Sequence, residues 1–155
     1  MARPQRWLSD DEQATWRSLV LLNQLLDEAL DRQLQRDAGM PHAYYQVLVA
    51  LSESDSGQVR MSDLARFLRY SPSRLTHAVA SMERRGWARR EPCPSDRRGQ
   101  LAVLTPAGRR AIQGAAPGHV AEVRSRVFDR LSDEQAAQLR TICETLLAGL
   151  DPGPD

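Results

Sequence analysis

Apolar residues recur at helical spacing from early in the chain. Trp16, Leu19, Leu22, Leu26 and Leu30 fall three or four apart, behind a Ser9-Asp10-Asp11-Glu12 string with the form of a capping box. The pattern predicts one long helix from about Ser9 to about Asp37. Val20, Leu21 and Leu25 widen its stripe beyond one face, so it needs more apolar cover than a small domain supplies, and a second subunit is the simplest source. Gly39 stops this helix. Pro41 opens a second, with Tyr44, Val47, Leu48 and Leu51 on a shared face and an end near Ser54-Asp55-Ser56-Gly57.

From Val59 the texture changes to short elements. Val59-Arg60-Met61 reads as a brief strand, and Ser62 as the cap of a helix that turns Leu64, Ala65 and Leu68 inward. Tyr70-Ser71-Pro72 is a turn in which Ser71 caps and Pro72 takes the first helical position. The helix that follows, about Pro72 to Arg85, puts Leu75, Val79 and Met82 on one side. Arg74, His77, Ser81 and Arg84 lie opposite, with Ser73 and Thr76 along the edge, a basic and hydroxyl-rich face of the kind a major groove accepts. Gly86 ends it. Two strand-like segments, Trp87 to Glu91 and Leu101 to Leu104, are joined by Pro92 to Gly99, whose prolines and glycine predict a hairpin tip.

Thr105 caps and Pro106 starts a fifth helix, with Val120, Val123, Val127 and Leu131 as a late stripe. Pro117-Gly118 predicts a kink or broken turn between about Pro106 to Ala116 and about His119 to Arg130. Ser132-Asp133-Glu134-Gln135 is another capping box, opening a last helix with Leu139, Ile142, Leu146 and Leu150 on one face. The Asp151 to Asp155 tail is expected to fray.

Charge changes this picture most. Between Arg60 and Arg110 stand twelve arginines against four acids, whereas the rest of the chain holds nine arginines against sixteen acids. The net charge of +1 hides that segregation, and a basic block between acidic flanks marks a surface built to face phosphate. No lysine occurs, and arginine forks suit phosphate and guanine edges. The 155 residues predict one domain; no apolar run approaches a membrane span, and the N-terminus does not read as a secretory leader. Two cysteines, Cys93 and Cys143, form no CxxC pair, which fits a reducing cytoplasm.

Helix, turn, helix and a basic hairpin is the order of a winged helix-turn-helix. The resemblance narrows at Asp96-Arg97-Arg98-Gly99-Gln100-Leu101-Ala102-Val103-Leu104-Thr105-Pro106-Ala107-Gly108, which resembles the D-x-R-G-x-L-x-x-L-T-x-x-G wing signature of the MarR family of bacterial transcriptional regulators. The expected fold is mainly α with a small β-hairpin wing (α+β). The winged helix-turn-helix would span 41–105, and N- and C-terminal dimerisation helices 9–37 and 106–150, in a single domain over 1–155. The resemblance implies a homodimer that binds a pseudo-palindromic duplex DNA operator, most simply as a repressor. By its place in the signature Arg98 would enter the minor groove, oriented by Asp96, while Arg97, Arg89 and Arg90 would contact the DNA backbone. For Arg89 and Arg90 a merely solvated face is an equal alternative. Ser71, Ser73, Arg74, Thr76, His77 and Ser81 complete the expected DNA-binding set with Arg84, although Arg84 and Arg85, at the far end of the helix, are better placed for backbone or solvent.

The family resemblance also implies a small aromatic or phenolic effector between the dimer helices and the winged module. Trp16, Met40, His42, Tyr44, Tyr45 and Arg124 are the candidate walls, with ordinary core or interface packing as the alternative for the aromatic ones. His42, His77 and His119 are scattered along the chain, which argues against a metal sensor. A thiol sensor is disfavoured because the first helix has no cysteine; Cys143 reads as a small core residue. The basic outer face of the fourth helix disfavours a protein-interaction module. No nucleophile and base pair, phosphate loop or metal triad points to an enzyme, and no cofactor is expected.

Overall fold

The structure, a computed structural model, describes residues 6–94 and 96–150, and at 97 and 98 the backbone alone. The Asp151 to Asp155 tail lies outside the described residues. Helix α1 spans Asp10–Ala38 and begins on the expected reciprocal box: Ser9 Oγ accepts from the Glu12 amide while Glu12 accepts from the Ser9 amide at 2.7 Å. It ends on Gly39, which takes a left-handed φ of 58°. Helix α2, His42–Glu53, has no cap from its own N-terminal residue, Pro41. Asp31 of α1 supplies one instead, accepting from the His42 amide at 2.8 Å, so the first helix helps to start the second.

Strand β1 (Gln58–Arg60) leads directly into α3 (Met61–Phe67). Ser62 is not the cap expected of it. The N-cap position is Arg60, whose side chain makes no capping hydrogen bond, and Ser62 lies exposed in the first turn because strand and helix abut with no linker. Helix α4 (Pro72–Arg84) follows its predicted course: Ser71 accepts from the Arg74 amide, Pro72 sits in the first turn, and Leu75, Ala78, Val79 and Met82 are buried.

Strands β2 (Ala88–Cys93) and β3 (Asp96–Leu104) form the wing, and the sheet order is β1-β3-β2, all antiparallel. The expected eight-residue tip is therefore mostly strand. Pro92 is tolerated because β2 is an edge strand, and the pairing becomes irregular between Pro92 and Cys93.

Helix α5 (Pro106–Arg126), a 3-10 turn (Phe128–Arg130) and α6 (Asp133–Leu150) complete the chain. Of the kink or broken turn expected at Pro117-Gly118, the broken turn is absent, since α5 runs through both. Pro117 and Gln113, whose carbonyl loses its amide partner, are both exposed, so water can take the place of the missing bond. Gly118 faces α1: a β-carbon there would stand 3.1 Å from Gln33 Nε2. Its glycine serves close packing of two helices. The Ser132 box at the start of α6 is present, with Gln135 returning to the Ser132 amide at 3.0 Å.

The core joins the end of α1 to the winged module. Leu34, Met40, Val47, Leu48, Leu51, Leu64, Leu75, Val79, Met82, Ala102 and Ile112 belong to one buried cluster. The first half of α1 and all of α6 lie outside it. Trp16, Leu22, Leu25, Ile142, Leu146 and Leu150 are exposed in the protomer, and so is Cys143, which is not the core residue its sequence context suggested.

One junction fixes how the wing meets α5. Thr105 caps α5 through the Gly108 amide at 3.0 Å and donates its own hydroxyl to the Gly86 carbonyl at 2.6 Å. Gly108 then passes so close to the residue leading into the wing that a β-carbon would lie 2.0 Å from the Trp87 carbonyl oxygen. This overlap is with backbone and cannot be relieved by a rotamer change. Gly108→Ala is therefore expected to destabilise the fold by about 2 kcal/mol or more. Urea unfolding followed by circular dichroism checks it, and a midpoint equal to that of the parent would contradict the junction.

Candidate nucleic-acid interface

The start of α4 offers side chains rather than carbonyls. Ser73, Arg74, Thr76 and His77 are all exposed there, opposite the buried stripe. Ser71 is committed to its cap, and Thr76 donates its hydroxyl to the Pro72 carbonyl at 2.8 Å, which leaves its oxygen still able to accept. Arg74 lies over the ring of Tyr70, 3.9 Å from the centroid, and the Tyr70 hydroxyl donates to Gln46 of α2. The guanidinium is thus held against the ring while the residue remains exposed. Sequence reasoning placed Tyr70 in a turn and missed this support, because it depends on the turn folding back over α2.

Further along α4 the expected roles change. Ser81 is half-buried and accepts from Arg84 at 2.8 Å, and Arg84 also donates to the Ala80 carbonyl, so these two residues bond each other along the helix. Arg85 turns away from the helix and donates to the Gly39 carbonyl at 2.7 Å.

The wing's arginines differ in the same way. Arg89 is exposed and paired with Glu91 at 2.6 Å on its own strand. Arg90 is half-buried: its guanidinium reaches Glu83 of α4 at 2.7 Å, and its amide donates to the same carboxylate at 2.8 Å. Arg90 thereby clamps the wing to α4. The arginine beside it holds the Glu83 carboxyl below the usual carboxylate range, against a smaller opposing effect of burial.

Between α4 and the wing lies a cleft of about 420 Å³ bordered by Arg60, Met61, Ser62, Thr76, Arg90, Asp96, Gly99 and Gln100. Asp96 pairs here with Arg60 of β1 at 3.5 Å, a partner that sequence reasoning did not give it. The side chains of Arg97 and Arg98, and with them the expected pairing of Asp96 to Arg98, lie outside the described residues.

The candidate effector walls do not converge as a group. Met40 is buried in the core, Tyr44 is half-buried with Arg85 5.9 Å from its ring centroid, Trp16 is exposed on α1, and Arg124 pairs with Asp129 at 2.9 Å. His42 and Tyr45 do share a cleft, of about 410 Å³, with Gln46, Val49, Ala50, Glu53, Phe67, Leu68 and His119. Two of the three histidines that looked scattered meet: His42 and His119 have ring centroids 5.5 Å apart, and Tyr45 lies 4.3 Å from His119. His42 Nδ1 also lies 3.0 Å from Asp27 of α1. Burial, and next to it the neighbouring His42, lower the His119 pKa, and its Nδ1 is buried without a partner. His119 was missed because Pro117-Gly118 looked like a break; an unbroken α5 carries it to α2. Among the described residues no group of three or more His, Cys, Asp or Glu side chains could hold a metal ion, and no helix is long and apolar enough to cross a membrane.

Comparison with known proteins decides the family. A family model described as the MarR family matches residues 38–99, the span from the end of α1 to the wing. The solved structure of Sco3205, a MarR family transcriptional regulator from Streptomyces coelicolor in complex with DNA, is similar at 51% identity. The match covers 97% of this chain and 95% of that one with a TM-score of 0.92. The chain belongs to the MarR family of transcriptional regulators. AbsC, another Streptomyces coelicolor member, is 42% identical over 94% of this chain and 98% of its own, with a TM-score of 0.88. A search of curated proteins gives no match. Members of the MarR family are transcription factors rather than enzymes, and the winged fold found here is theirs.

The Glu83–Arg90 clamp gives a pH prediction. Because the folded pKa of Glu83 is depressed, its stabilisation is present above the ordinary glutamate value of 4.5 and is lost as the pH falls through the lower, folded value. Glu83→Gln should cost about 1 kcal/mol at pH 7. The gap to the parent should narrow as the pH is lowered below 4.5. Thermal melts of both proteins across that range check this; a gap that is constant with pH would contradict the clamp.

Proposed function

We propose that this MarR family protein is a cytoplasmic, homodimeric regulator that reads a pseudo-palindromic operator with α4 and the wing of each subunit, and that it acts as a repressor released by a small aromatic or phenolic effector. The observation that carries DNA reading is the exposed N-terminal face of α4, where Ser73, Arg74, Thr76 and His77 stand clear of the core. Sco3205, whose solved structure contains DNA, supports the reading over nearly the whole chain.

Arg74 is the residue assigned to base recognition. Its fork can grip guanine through O6 and N7, and its stacking on Tyr70 reduces the side-chain entropy lost on binding. Arg89 and Arg97 are assigned to phosphate, and Arg98, with Asp96 at its base, to the minor groove. Arg90 leaves the expected set, because its contacts are with Glu83.

The dimer is assigned to α1 together with α5 and α6. Trp16, Leu22 and Leu25 on α1 and Ile142, Leu146 and Leu150 on α6 are apolar and exposed in the protomer, and mutual burial by a second copy removes that surface from water. The effector is assigned to the cleft of His42, Tyr45, Phe67 and His119, since these aromatic walls surround an unpaired His119 nitrogen that a phenol can engage. Glu53 is the acid on that cleft's lining and no arginine lines it, which favours a phenol over a carboxylate.

Selection from randomised duplexes tests the reading. The parent should return two half-sites roughly 10 bp apart, and affinity should fall by orders of magnitude between ~50 and ~200 mM salt. Arg74→Ala should relax one base position in each half-site and cost about 1 to 3 kcal/mol on the selected operator. The same sequence preference from both proteins would remove Arg74 from base reading, and equal affinity of the parent for selected and random duplex would overturn specific recognition.

A further inference from the structure

Arg85 belongs to the basic block by sequence, yet its guanidinium is bonded to the end of α1. It is the C-cap residue of α4, and its guanidinium donates at 2.7 Å to the carbonyl of Gly39, the C-cap residue of α1. The charge therefore sits at the negative end of a 29-residue helix dipole, where a cation is favoured. Two rings flank it: Trp87 with its centroid 4.9 Å away and Tyr44 of α2 at 5.9 Å. One side chain thus joins the end of α4, the end of α1, the start of α2 and the residue leading into the wing.

We propose that Arg85 is a positioning residue that sets the angle of α4 against α1 and thereby the half-site spacing the protein accepts. This rests on the reading of α4 as the DNA-reading helix. The lever is long. Thirteen residues of helix extend about 20 Å, so a tilt of about 5° at the Arg85 end moves the Ser73 end by about 2 Å. Successive base pairs are about 3.4 Å apart, so a displacement of this size in each subunit is enough to change which spacing fits best. Since α1 carries the surface assigned to the dimer, its orientation relative to α4 determines how far apart two such helices stand. Two other side-chain bonds of α4, Glu83 to Arg90 and Arg84 to Ser81, lie inside the winged module, whereas the Arg85 bond crosses to α1.

The alternative role for an exposed arginine in this block is a phosphate contact, and the two roles have different signatures. Operators built from the selected half-site at centre-to-centre separations of about 9, 10 and 11 bp are titrated with the full-length parent, with Arg85→Gln and with Trp87→Leu. The Trp87 substitution removes a flanking ring while leaving every charge in place. For Arg85→Gln the expected result is an unchanged half-site sequence preference, an unchanged slope of affinity against salt, and a loss of about fivefold or more in discrimination between the best spacing and its neighbours. Trp87→Leu should move spacing discrimination in the same direction.

A salt slope lowered by about one contact per subunit in Arg85→Gln, with spacing discrimination intact, would make Arg85 a phosphate contact and overturn the proposal. A lower melting temperature with a uniform loss at all three separations would reduce it to a stabilising contact, which also overturns it. Parent protein that binds every duplex alike would instead overturn the reading of α4 on which the proposal rests.

Discussion

The structure depends on a helix that the protomer cannot cover. Of the 29 residues of α1, those buried are Ala29, Leu30, Gln33 and Leu34, all in its second half, where the helix meets α5 and the winged module. The preceding turns expose Trp16, Leu19, Leu22 and Leu25, and α6 exposes Ile142, Leu146 and Leu150. Association would remove apolar surface of that extent from water, and the proposed assignment of α1 and α6 to a dimer rests on it. Everything proposed about the operator then depends on how rigidly the covered half of the molecule is tied to the half that faces DNA.

Beyond the shared core, the ties are specific polar and ring contacts. Asp31 of α1 caps α2, Arg85 at the end of α4 bonds the end of α1, and His119 of α5 packs between His42 and Tyr45 of α2. Within the winged module the Glu83–Arg90 clamp and the Gly108 approach to Trp87 fix α4, the wing and α5 against one another. A ligand that entered beside His119 would press on the α2–α5 contact, which lies between the dimer helices and α4. That is a route by which binding at one place can change the distance between two recognition helices, provided the ligand prefers one arrangement over the other.

Local chemistry was legible in the sequence, and tertiary partnership was not. Ser9, Ser71, Thr105 and Ser132 all cap the helices expected of them, because a cap is decided within three residues by one hydrogen bond. Ser62 failed where a strand ran straight into a helix and left no cap position for it. Pro117 failed because an exposed helix can leave one carbonyl to water, and Gly118 is explained by Gln33, 85 residues earlier in the chain. The D-x-R-G-x-L-x-x-L-T-x-x-G string was the most informative feature. Its final glycine has a physical reason in the Trp87 carbonyl, and its threonine in a double role as cap and bridge to Gly86. Counting arginines located the basic face but not the duty of each residue. Arg85 and Arg90 look alike in sequence to Arg74 and Arg89, and only the partners separate them: Gly39 and Glu83 lie in or at the end of other helices, whereas Tyr70 and Glu91 are near neighbours in the chain.

The central claim is that two copies, joined through α1 and α6, hold two α4 helices at one operator. Sedimentation equilibrium of the full-length protein, alone and with one duplex carrying a single selected pseudo-palindrome, tests it most directly. The account predicts a free species of twice the 17.4 kDa chain mass and a complex of two chains on one duplex, with no one-chain complex at intermediate ratios. A free species of 17.4 kDa that loads the duplex one chain at a time would contradict it.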